Sequence, residues 1–178
     1  MKSYCLFCKC GSEQTVAETI NTLHQGFLAI APKRIVQEKR NNKWEQRNLA
    51  LLPGYVFLFS EKDQDNKHLR IKVTDMYKIL QYDGGVKELC HEDYAYAMWI
   101  YANHGSINPS HVLCDGETIQ VIDGPLLDCQ GRIIRVDKHK RRVLVEFDFD
   151  GQKRSISLGI ECVSRLEMLT REDKKEAG

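Results

Sequence analysis

The chain has 178 residues, with 26 Lys and Arg against 25 Asp and Glu, a formal net charge of +1, and 42% hydrophobic residues. Disordered chains have fewer apolar residues or a larger net charge, so this composition indicates a globular protein. No apolar run approaches the ~18 residues of a membrane helix, and the chain opens on a strand-like segment instead of a signal peptide. We therefore expect a soluble, cytoplasmic protein with no membrane partner, and any nucleic-acid contact must come from local basic clusters.

The first half of the chain predicts helices packed against an antiparallel sheet, which is an α+β architecture. The apolar run after Pro53-Gly54 is rich in β-branched and aromatic residues and favours a central buried strand. The chain begins with a predicted strand over Tyr4–Cys8 and a helix from Ser12 to Gly26, whose apolar residues at helical spacing are Val16, Ile20, Leu23 and Phe27. A hairpin over Lys33–Asn48, turning at Asn41-Asn42, precedes the central strand, which ends at Phe59. The remaining predicted elements are a helix over Asn66–Val73, a strand over Tyr77–Tyr82 and a helix over His91–His104.

The second half of the chain predicts short strands only. The polar stretch Gly105–Ser110 marks a change of composition, and we place a domain boundary there, with a linker over residues 105–113. The strand-like segments that follow are Thr118–Ile122, Arg132–Val136, Val143–Phe149 and Ser155–Leu158. The third of these predicts alternation between two faces, with one face formed by Val143, Val145, Phe147 and Phe149 and the other by Leu144, Glu146 and Asp148. Strands this short, separated by turns rich in glycine and charge, predict a small all-β barrel.

Seven cysteines, three of them in the cluster Cys5, Cys8 and Cys10, raise the question of a metal site. A structural zinc site usually has two close pairs of ligands, whereas the other cysteines of this chain stand alone. Along a strand, Cys5 would also face away from Cys8. We therefore expect reduced, mostly buried thiols with no metal and no cofactor. Because no catalytic motif is present, we expect no enzymatic activity, and a thiol or metal-binding protein using these three cysteines is the remote alternative.

Two basic stretches are candidate nucleic-acid contacts. The first comprises Lys138, His139, Lys140, Arg141 and Arg142 at the predicted tip of a β-hairpin, supported by Arg132 and Arg135. The second lies in the other predicted hairpin around Trp44 and comprises Lys33, Arg34, Lys39, Arg40, Lys43 and Arg47, of which Lys39, Arg40 and Lys43 are the candidate contacts. Clustered cations bind phosphates in a salt-dependent manner, and an aromatic side chain adds base stacking. For each stretch the alternative interpretation is a solvated surface loop.

Two motifs in the chain resemble one known family. Residues Asp115–Leu126, followed by Gly131–Val136, look like a KOW motif with Gly131 at its characteristic glycine. The run Leu52–Phe57, LPGYVF, is similar to the FPGYVxV signature of the NusG N-terminal (NGN) domain. Together they identify the chain as a member of the NusG/RfaH transcription-elongation family. The resemblance implies an NGN domain over residues 1–104, the linker over 105–113, an SH3-like KOW barrel over 114–168 and a polar tail over 169–178.

The family also implies roles for single residues. Its NGN domain binds the clamp helices of RNA polymerase through a hydrophobic depression, which Leu52 and Tyr55 would line, although the residues alone favour core positions for both. Thr74 falls in the stretch that the family turns toward non-template DNA. Phe149 matches the aromatic residue at which the family's KOW domain contacts NusE or Rho.

Within the family, the chain is most like the LoaP paralogues, which are processive antiterminators linked to an RNA hairpin in the leader transcript. This resemblance depends on the short N-terminus, on Pro32-Lys33-Arg34 and on the basic tip at 138–142. We expect a monomer that binds polymerase through the NGN domain and structured nascent RNA through the KOW tip. The alternative is a housekeeping NusG-type factor whose KOW domain binds Rho or NusE and whose basic tip is a solvated loop.

Overall fold

The computed structural model describes residues 1–24, 26–62, 71–115 and 118–163. It mixes helices and sheets, which confirms the expected α+β class. The helices are α1 (Glu13–Leu23) and α2 (His91–Ala102). The strands are β1 (Lys2–Cys8), β2 (Leu28–Ile30), β3 (Lys33–Arg40), β4 (Lys43–Ala50), β5 (Tyr55–Ser60), β6 (Met76–Ile79), β7 (Ser106–Ile107), β8 (Ser110–Asp115), β9 (Thr118–Asp123), β10 (Arg132–Asp137), β11 (Arg142–Phe149) and β12 (Gln152–Val163). Within the described ranges, no helix is long and apolar enough to cross a membrane.

The chain divides into two compact units, which are described separately. The first unit consists of Met1–Lys33, Ala50–Ser106 and Phe149–Gly151. The second unit consists of Arg34–Leu49, Ile107–Asp148 and the residues from Gln152 onward. The β3–β4 hairpin therefore belongs with the second half of the chain. It turns at Asn41-Asn42, as predicted, with both asparagines in the left-handed region at φ values of 47° and 61°.

The first unit contains a four-stranded sheet in the order β2-β5-β1-β6. Strand β5 pairs antiparallel with both of its neighbours, and all of its residues are buried. This confirms the central strand predicted after Pro53-Gly54. Helix α1 packs Val16 and Ile20 into the same core as Tyr4 of β1, so the helix covers this sheet with its apolar face.

Helix α1 is shorter than predicted. It ends at Leu23, and the backbone N–H of His24 donates to the carbonyl of Ile20 at 2.8 Å. Gly26 and Phe27 therefore lie beyond the helix, and the prediction that Gly26 ends it is wrong. Leu23 is 67% exposed, so the apolar residues at helical spacing include one that the helix does not bury.

Other expectations fall partly outside the described residues. The predicted helix over Asn66–Val73 lies mostly there, and its described residues 71–73 are not helical. The last residues of the predicted KOW domain and the predicted tail also lie outside the described ranges. Strands β7 and β8 occupy much of the stretch where a linker was expected.

The second unit contains a five-stranded sheet in the order β10-β11-β12-β8-β9. Along β11, Val143 and Val145 are buried while Leu144 and Glu146 are partly exposed, which confirms the predicted alternation. The long strand β12 lies between β11 and β8, and it pairs with β8 in parallel. The all-β character expected of the second half of the chain is present in these five strands.

Gly131, which immediately precedes β10, has a steric reason to be glycine. A Cβ at this position would lie 2.9 Å from the carbonyl oxygen of Glu146 and closer still to the side chain of Val145. Both residues belong to β11, the strand that pairs with β10. The glycine of the KOW-like motif is therefore explained by the close approach of two backbones.

Cys114 and Cys162 form a disulfide, with their Cα atoms 6.2 Å apart. The expectation that all cysteines are reduced is therefore wrong for this pair. The two residues are 48 positions apart in sequence, and the parallel pairing of β8 with β12 brings them together.

Candidate nucleic-acid interface

The predicted basic tip forms the turn between β10 and β11. Asp137, the last residue of β10, accepts a hydrogen bond through Oδ1 from the backbone N–H of Lys140 at 2.9 Å. The backbone N–H of Arg141 donates to the carbonyl of Lys138 at 3.2 Å, and Arg141 adopts a left-handed φ of 53°. These bonds hold the turn in one shape and leave His139 and Lys140 exposed at its end.

The β3–β4 hairpin is fastened to β12 within the second unit. Arg34 of β3 donates through Nη1 to the carbonyl of Ser157 in β12. Gly159 of β12 allows the backbones to approach, since a Cβ there would lie 2.8 Å from the carbonyl oxygen of Ile35. The hairpin is thus positioned by contacts at its base.

The two basic stretches, which are far apart in sequence, meet in the second unit. The guanidinium of Arg141 lies over the ring of Trp44, 4.3 Å from its centroid, in a cation–π contact. Its Nη1 also donates to Oε1 of Gln37 at 2.8 Å. Arg142 donates through Nη2 to Oε1 of Glu38 at 3.1 Å, which makes an ion pair. The structure therefore joins the two stretches into one surface.

A cleft of about 470 Å³ lies between the hairpin and the turn, and we call it the Trp44 cleft. Its lining residues are Gln37, Glu38, Lys39, Trp44, His139, Lys140 and Arg142. Three cations and an imidazole face a single carboxylate here, so positive charge predominates. Among the described residues, Lys39 and Lys140 form no side-chain ion pair, so both charges are available to an anion such as phosphate.

Gln37 is held at both ends of its amide. While Oε1 accepts from Arg141, Nε2 donates to Oε1 of Glu161 at 3.1 Å. The other oxygen of Glu161 lies 3.5 Å from Nε2 of His111. Sequence reasoning missed both Gln37 and Glu38, because neither carries positive charge and each contacts a residue 104 positions away.

Two predicted RNA contacts on β10 lie outside the Trp44 cleft. Arg135 is exposed and lines a smaller cavity of about 210 Å³, together with Lys140 and Arg142. The side chain of Arg132 is 78% exposed, and its Nη2 lies 3.7 Å from a carboxylate oxygen of Glu146. Arg135 is thus close to the turn, whereas Arg132 lies at the far end of the strand.

The weaker nucleic-acid predictions are divided between the units. Lys39 lines the Trp44 cleft, whereas Arg40 and Lys43 are exposed at the end of the hairpin beside its turn. Thr74 is exposed in the first unit, in the turn that precedes β6. Only Lys39 of this group is placed with the basic tip.

Leu52 and Tyr55, the residues expected at polymerase, are buried in the first unit at 5% and 8% exposure. The ring of Tyr55 packs against those of Phe7 and Phe149, whose centroids lie 5.4 and 5.7 Å away. Phe149 belongs to this unit, is fully buried and also contacts Phe57 at 5.4 Å. The core positions that the residues alone predicted for Leu52 and Tyr55 are confirmed.

The bend that carries Leu52 and Tyr55 is held by Glu13. Its Oε1 accepts from the backbone N–H of Gly54 at 2.6 Å, and its Oε2 accepts from the backbone N–H of Gly11 at 2.9 Å. Burial acts to raise the pKa of Glu13, but backbone hydrogen bonds, that from Gly54 foremost, outweigh it and lower the pKa below its ordinary value. Glu13 therefore holds the bend as a carboxylate.

Cys8, in the cysteine cluster near the N-terminus, has little thiolate character. Cys5 and Cys8 are buried and Cys10 is exposed. Burial, with a contribution from the nearby Glu13 carboxylate, raises the pKa of Cys8 to about 11. In the part of the chain that the structure describes, no group of three or more His, Cys, Asp or Glu side chains is arranged to hold a metal ion.

The comparisons with known proteins place the chain in a family. The family model described as transcription termination factor nusG matches residues 1–93, which is more than half of the chain. The chain belongs to the NusG family. It is 25% identical over 142 residues to the transcription termination/antitermination protein NusG of Pseudomonas aeruginosa, covering 77% of this chain and 78% of that protein. It is 21% identical over 167 residues to the NusG of Helicobacter pylori strain J99, covering 88% and 93%.

A solved structure described as domain interaction in Thermotoga maritima NusG is also similar to the chain. The two are 19% identical, the match covers 89% of this chain and 93% of that structure, and the TM-score is 0.48. Membership of the NusG family makes this chain one of the transcription termination and antitermination factors, which are not enzymes. The family match ends at residue 93, so Lys39 and Trp44 lie inside the matched part of this NusG-family chain, whereas His139, Lys140 and Arg142 lie outside it.

Proposed function

We propose that this NusG-family protein is a transcription elongation factor and processive antiterminator that binds RNA polymerase through its N-terminal domain and a hairpin of nascent leader RNA through its basic surface. The observation that carries the RNA part is the Trp44 cleft, where cations from two distant stretches line one concave surface beside an exposed aromatic ring. Phosphates bind such cations and unstacked bases bind such a ring. The protein would then be a specialised paralogue of the LoaP kind.

In this proposal, residues 1–104 form the NGN domain, 105–113 the linker, 114–168 an SH3-like KOW barrel and 169–178 a polar tail. The RNA is bound by Lys39 of the NGN hairpin and by Lys140 and Arg142 of the KOW turn, with Arg135 and Lys138 nearby, and Arg142 exchanges Glu38 for a phosphate on binding. Holding an RNA element beside its own polymerase raises its effective concentration, so modest affinity suffices. The factor would remain with the elongation complex for as long as that RNA is retained.

In the polymerase complex, Leu52 and Tyr55 would contact the clamp helices of RNA polymerase, and Thr74 would lie toward non-template DNA. Tyr55 is covered by Phe149 in the structure, so this contact requires the turn Phe149–Gly151 to move away from it. Phe149 is also the residue proposed to contact NusE or Rho. Burial of both aromatic rings in one core predicts that polymerase binding and exposure of Phe149 occur together.

A second candidate function is that of a housekeeping NusG-type factor whose KOW domain binds NusE or Rho. The observation that favours it is that two of the tip arginines already have partners within the protein. Arg141 contacts Trp44 and Gln37, and Arg142 pairs with Glu38. In this alternative the basic turn is a structural contact and RNA is not bound.

The two functions are separated by titrating leader RNA hairpins into the full-length protein at several salt concentrations, with fluorescence anisotropy as the readout. The diagnostic variant is Lys39→Ala/Lys140→Ala, because these lysines line the cleft without an ion pair among the described residues. The matched control is Lys9→Ala/Lys78→Ala, which removes two exposed lysines from the first unit. Weaker binding and a shallower salt dependence in the diagnostic variant alone are expected.

Equal binding by the two double variants would overturn RNA recognition through this surface. In vitro transcription through a terminator, with and without the leader sequence, then tests the antiterminator function. We expect readthrough that depends on the leader and on Lys39 and Lys140. Readthrough that ignores the leader would leave polymerase binding in place and support the housekeeping alternative.

A further inference from the structure

We propose that the Trp44 cleft binds a single unpaired nucleotide, with its base stacked on the indole of Trp44 and its phosphates bound by Lys39 and Lys140. The inference rests on the proposed function, because RNA is taken to be the source of the nucleotide. The ligand of the basic surface would then be a nucleotide from a loop, a bulge or an end of the RNA hairpin.

The first argument is the position of Trp44. Its side chain is 37% exposed on β4, whereas Trp99, the other tryptophan of the chain, is 6% exposed in the first unit. An indole in a hairpin whose neighbouring residues are all exposed makes little contribution to a core. A flat aromatic surface of this kind, placed among cations, is the arrangement that stacks nucleic-acid bases.

The second argument is the orientation of the ring. Arg141 lies over Trp44 at 4.3 Å and is itself held by Gln37, so the indole is supported in one orientation. Arg141 does not line the cleft, whereas Trp44 does. Indole surface therefore remains for a ligand, and Arg141 is a positioning residue for that surface.

The third argument is the size and charge of the cleft. Its volume of about 470 Å³ falls in the range of roughly 300–1,000 Å³ that is usual for small-ligand sites. Paired bases within an RNA helix are stacked on each other, and the faces of their rings are not accessible to a protein side chain. A cleft of this size with an aromatic wall therefore fits one nucleotide that has left the stack, and the lysines beside it fit the flanking phosphates.

The inference is tested by fluorescence titration of the full-length protein. The probes are an oligo(U) strand of about ten nucleotides, within the ~4–16 nucleotides that single-strand sites usually span, and a blunt RNA duplex of the same length. Trp99 is buried and out of reach of a ligand, and Trp44→Leu, which leaves Trp99 as the remaining tryptophan, shows which part of an emission change comes from Trp44. We expect oligo(U) to quench the emission and the duplex to leave it nearly unchanged, and we expect Trp44→Leu to abolish the quenching.

Affinity is then measured by anisotropy with labelled oligo(U). Trp44→Leu, which keeps an apolar side chain but removes the flat ring, should weaken binding by about tenfold, and Trp44→Phe should restore most of the affinity. The matched control is Leu127→Ala, which removes another exposed apolar side chain from the second unit, and it should bind as the wild type does. Oligo(dT) is run in parallel, and tighter binding of oligo(U) supports RNA as the source of the nucleotide.

Failure of the inference and failure of the proposed function give different results. If Lys39→Ala/Lys140→Ala weakens binding while Trp44→Leu does not, the nucleotide site is refuted and the basic surface stands. Equal quenching by duplex and single strand would also refute the nucleotide site. If neither variant changes the affinity for oligo(U) or for leader hairpins, RNA recognition by this surface is itself refuted.

Discussion

Replacing Glu38 by glutamine should strengthen RNA binding, because this carboxylate competes with phosphate for Arg142. The two side chains form an ion pair at 3.1 Å and are 45% and 22% exposed. A pair exposed to this degree contributes about 0.2–1 kcal/mol, and this is the free energy that Arg142 gives up when it turns to a phosphate. Since 1.4 kcal/mol corresponds to a factor of ten, Glu38→Gln should lower the Kd for a leader hairpin by roughly 1.4- to 5-fold.

The same reasoning predicts how each cation affects the salt dependence. A cation that binds a phosphate without an intramolecular partner contributes about 0.7–0.9 to the slope of log K against log salt. Lys140 should contribute this amount, whereas Arg142 should contribute less, because it exchanges the Glu38 carboxylate for a phosphate. Lys140→Ala should therefore reduce the slope more than Arg142→Ala, and Glu38→Gln should make the slope steeper.

The assay is fluorescence anisotropy of a labelled RNA hairpin at several concentrations of potassium chloride. Glu45→Gln is the matched control, because Glu45 is exposed on the same hairpin and its substitution removes the same charge without touching Arg142. The comparison of the two variants isolates the ion pair from the general change in charge. Equal effects of Glu38→Gln and Glu45→Gln would refute the reasoning, as would equal slopes for Lys140→Ala and Arg142→Ala.

Three further predictions concern the fold. Glu13→Gln should lower the free energy of unfolding by roughly 1 kcal/mol at neutral pH, since the bend at Gly54 loses charge-assisted hydrogen bonds. Because folding lowers the pKa of Glu13, the wild type should lose this contribution as the pH falls below about 4.5. A plot of Tm against pH should therefore fall less steeply in that range for Glu13→Gln than for the wild type, and parallel plots would contradict the prediction. Phe149→Ala should destabilise the protein by about 3–5 kcal/mol in urea unfolding. Because it uncovers Tyr55, it should also tighten polymerase binding in a pull-down, and an unchanged affinity would contradict the proposal that Phe149 and polymerase compete for Tyr55. Gly131→Ala should cost about 1–3 kcal/mol in the same unfolding assay, because the added methyl group overlaps β11, and a neutral effect would show that β10 can move away.

Local patterns in the sequence predicted the elements of the fold well. The alternation of β11 and the asparagine turn of the β3–β4 hairpin follow from residue types and spacing within a few positions, so both were predicted correctly. The end of α1 was not, because apolar residues continue at helical spacing to Phe27 although the backbone leaves the helix after Leu23. Periodicity describes a face, and it does not specify where the backbone hydrogen bonds stop.

The contacts that build the site could not be predicted in the same way. The charge of the basic tip was evident from the sequence, but its partners Gln37 and Glu38 are 104 residues away and belong to a hairpin assigned to the other half of the chain. The Cys114–Cys162 disulfide has the same origin, since only the pairing of β8 with β12 brings the two cysteines together. Long-range strand pairing depends on the whole fold, and single-sequence patterns carry little information about it.

The run of positive charge at the tip is therefore weaker evidence for RNA binding than it first suggests. Arg141 and Arg142 have partners inside the protein, and a housekeeping factor could retain both for stability. Lys39 and Lys140 differ, because they line the cleft and form no ion pair among the described residues, so their charge is exposed beside Trp44 without an evident structural role. The choice between an RNA-binding paralogue and a housekeeping factor thus depends on these two lysines and on Trp44 in the same cleft, and substitutions there test the function with the least disturbance to the fold.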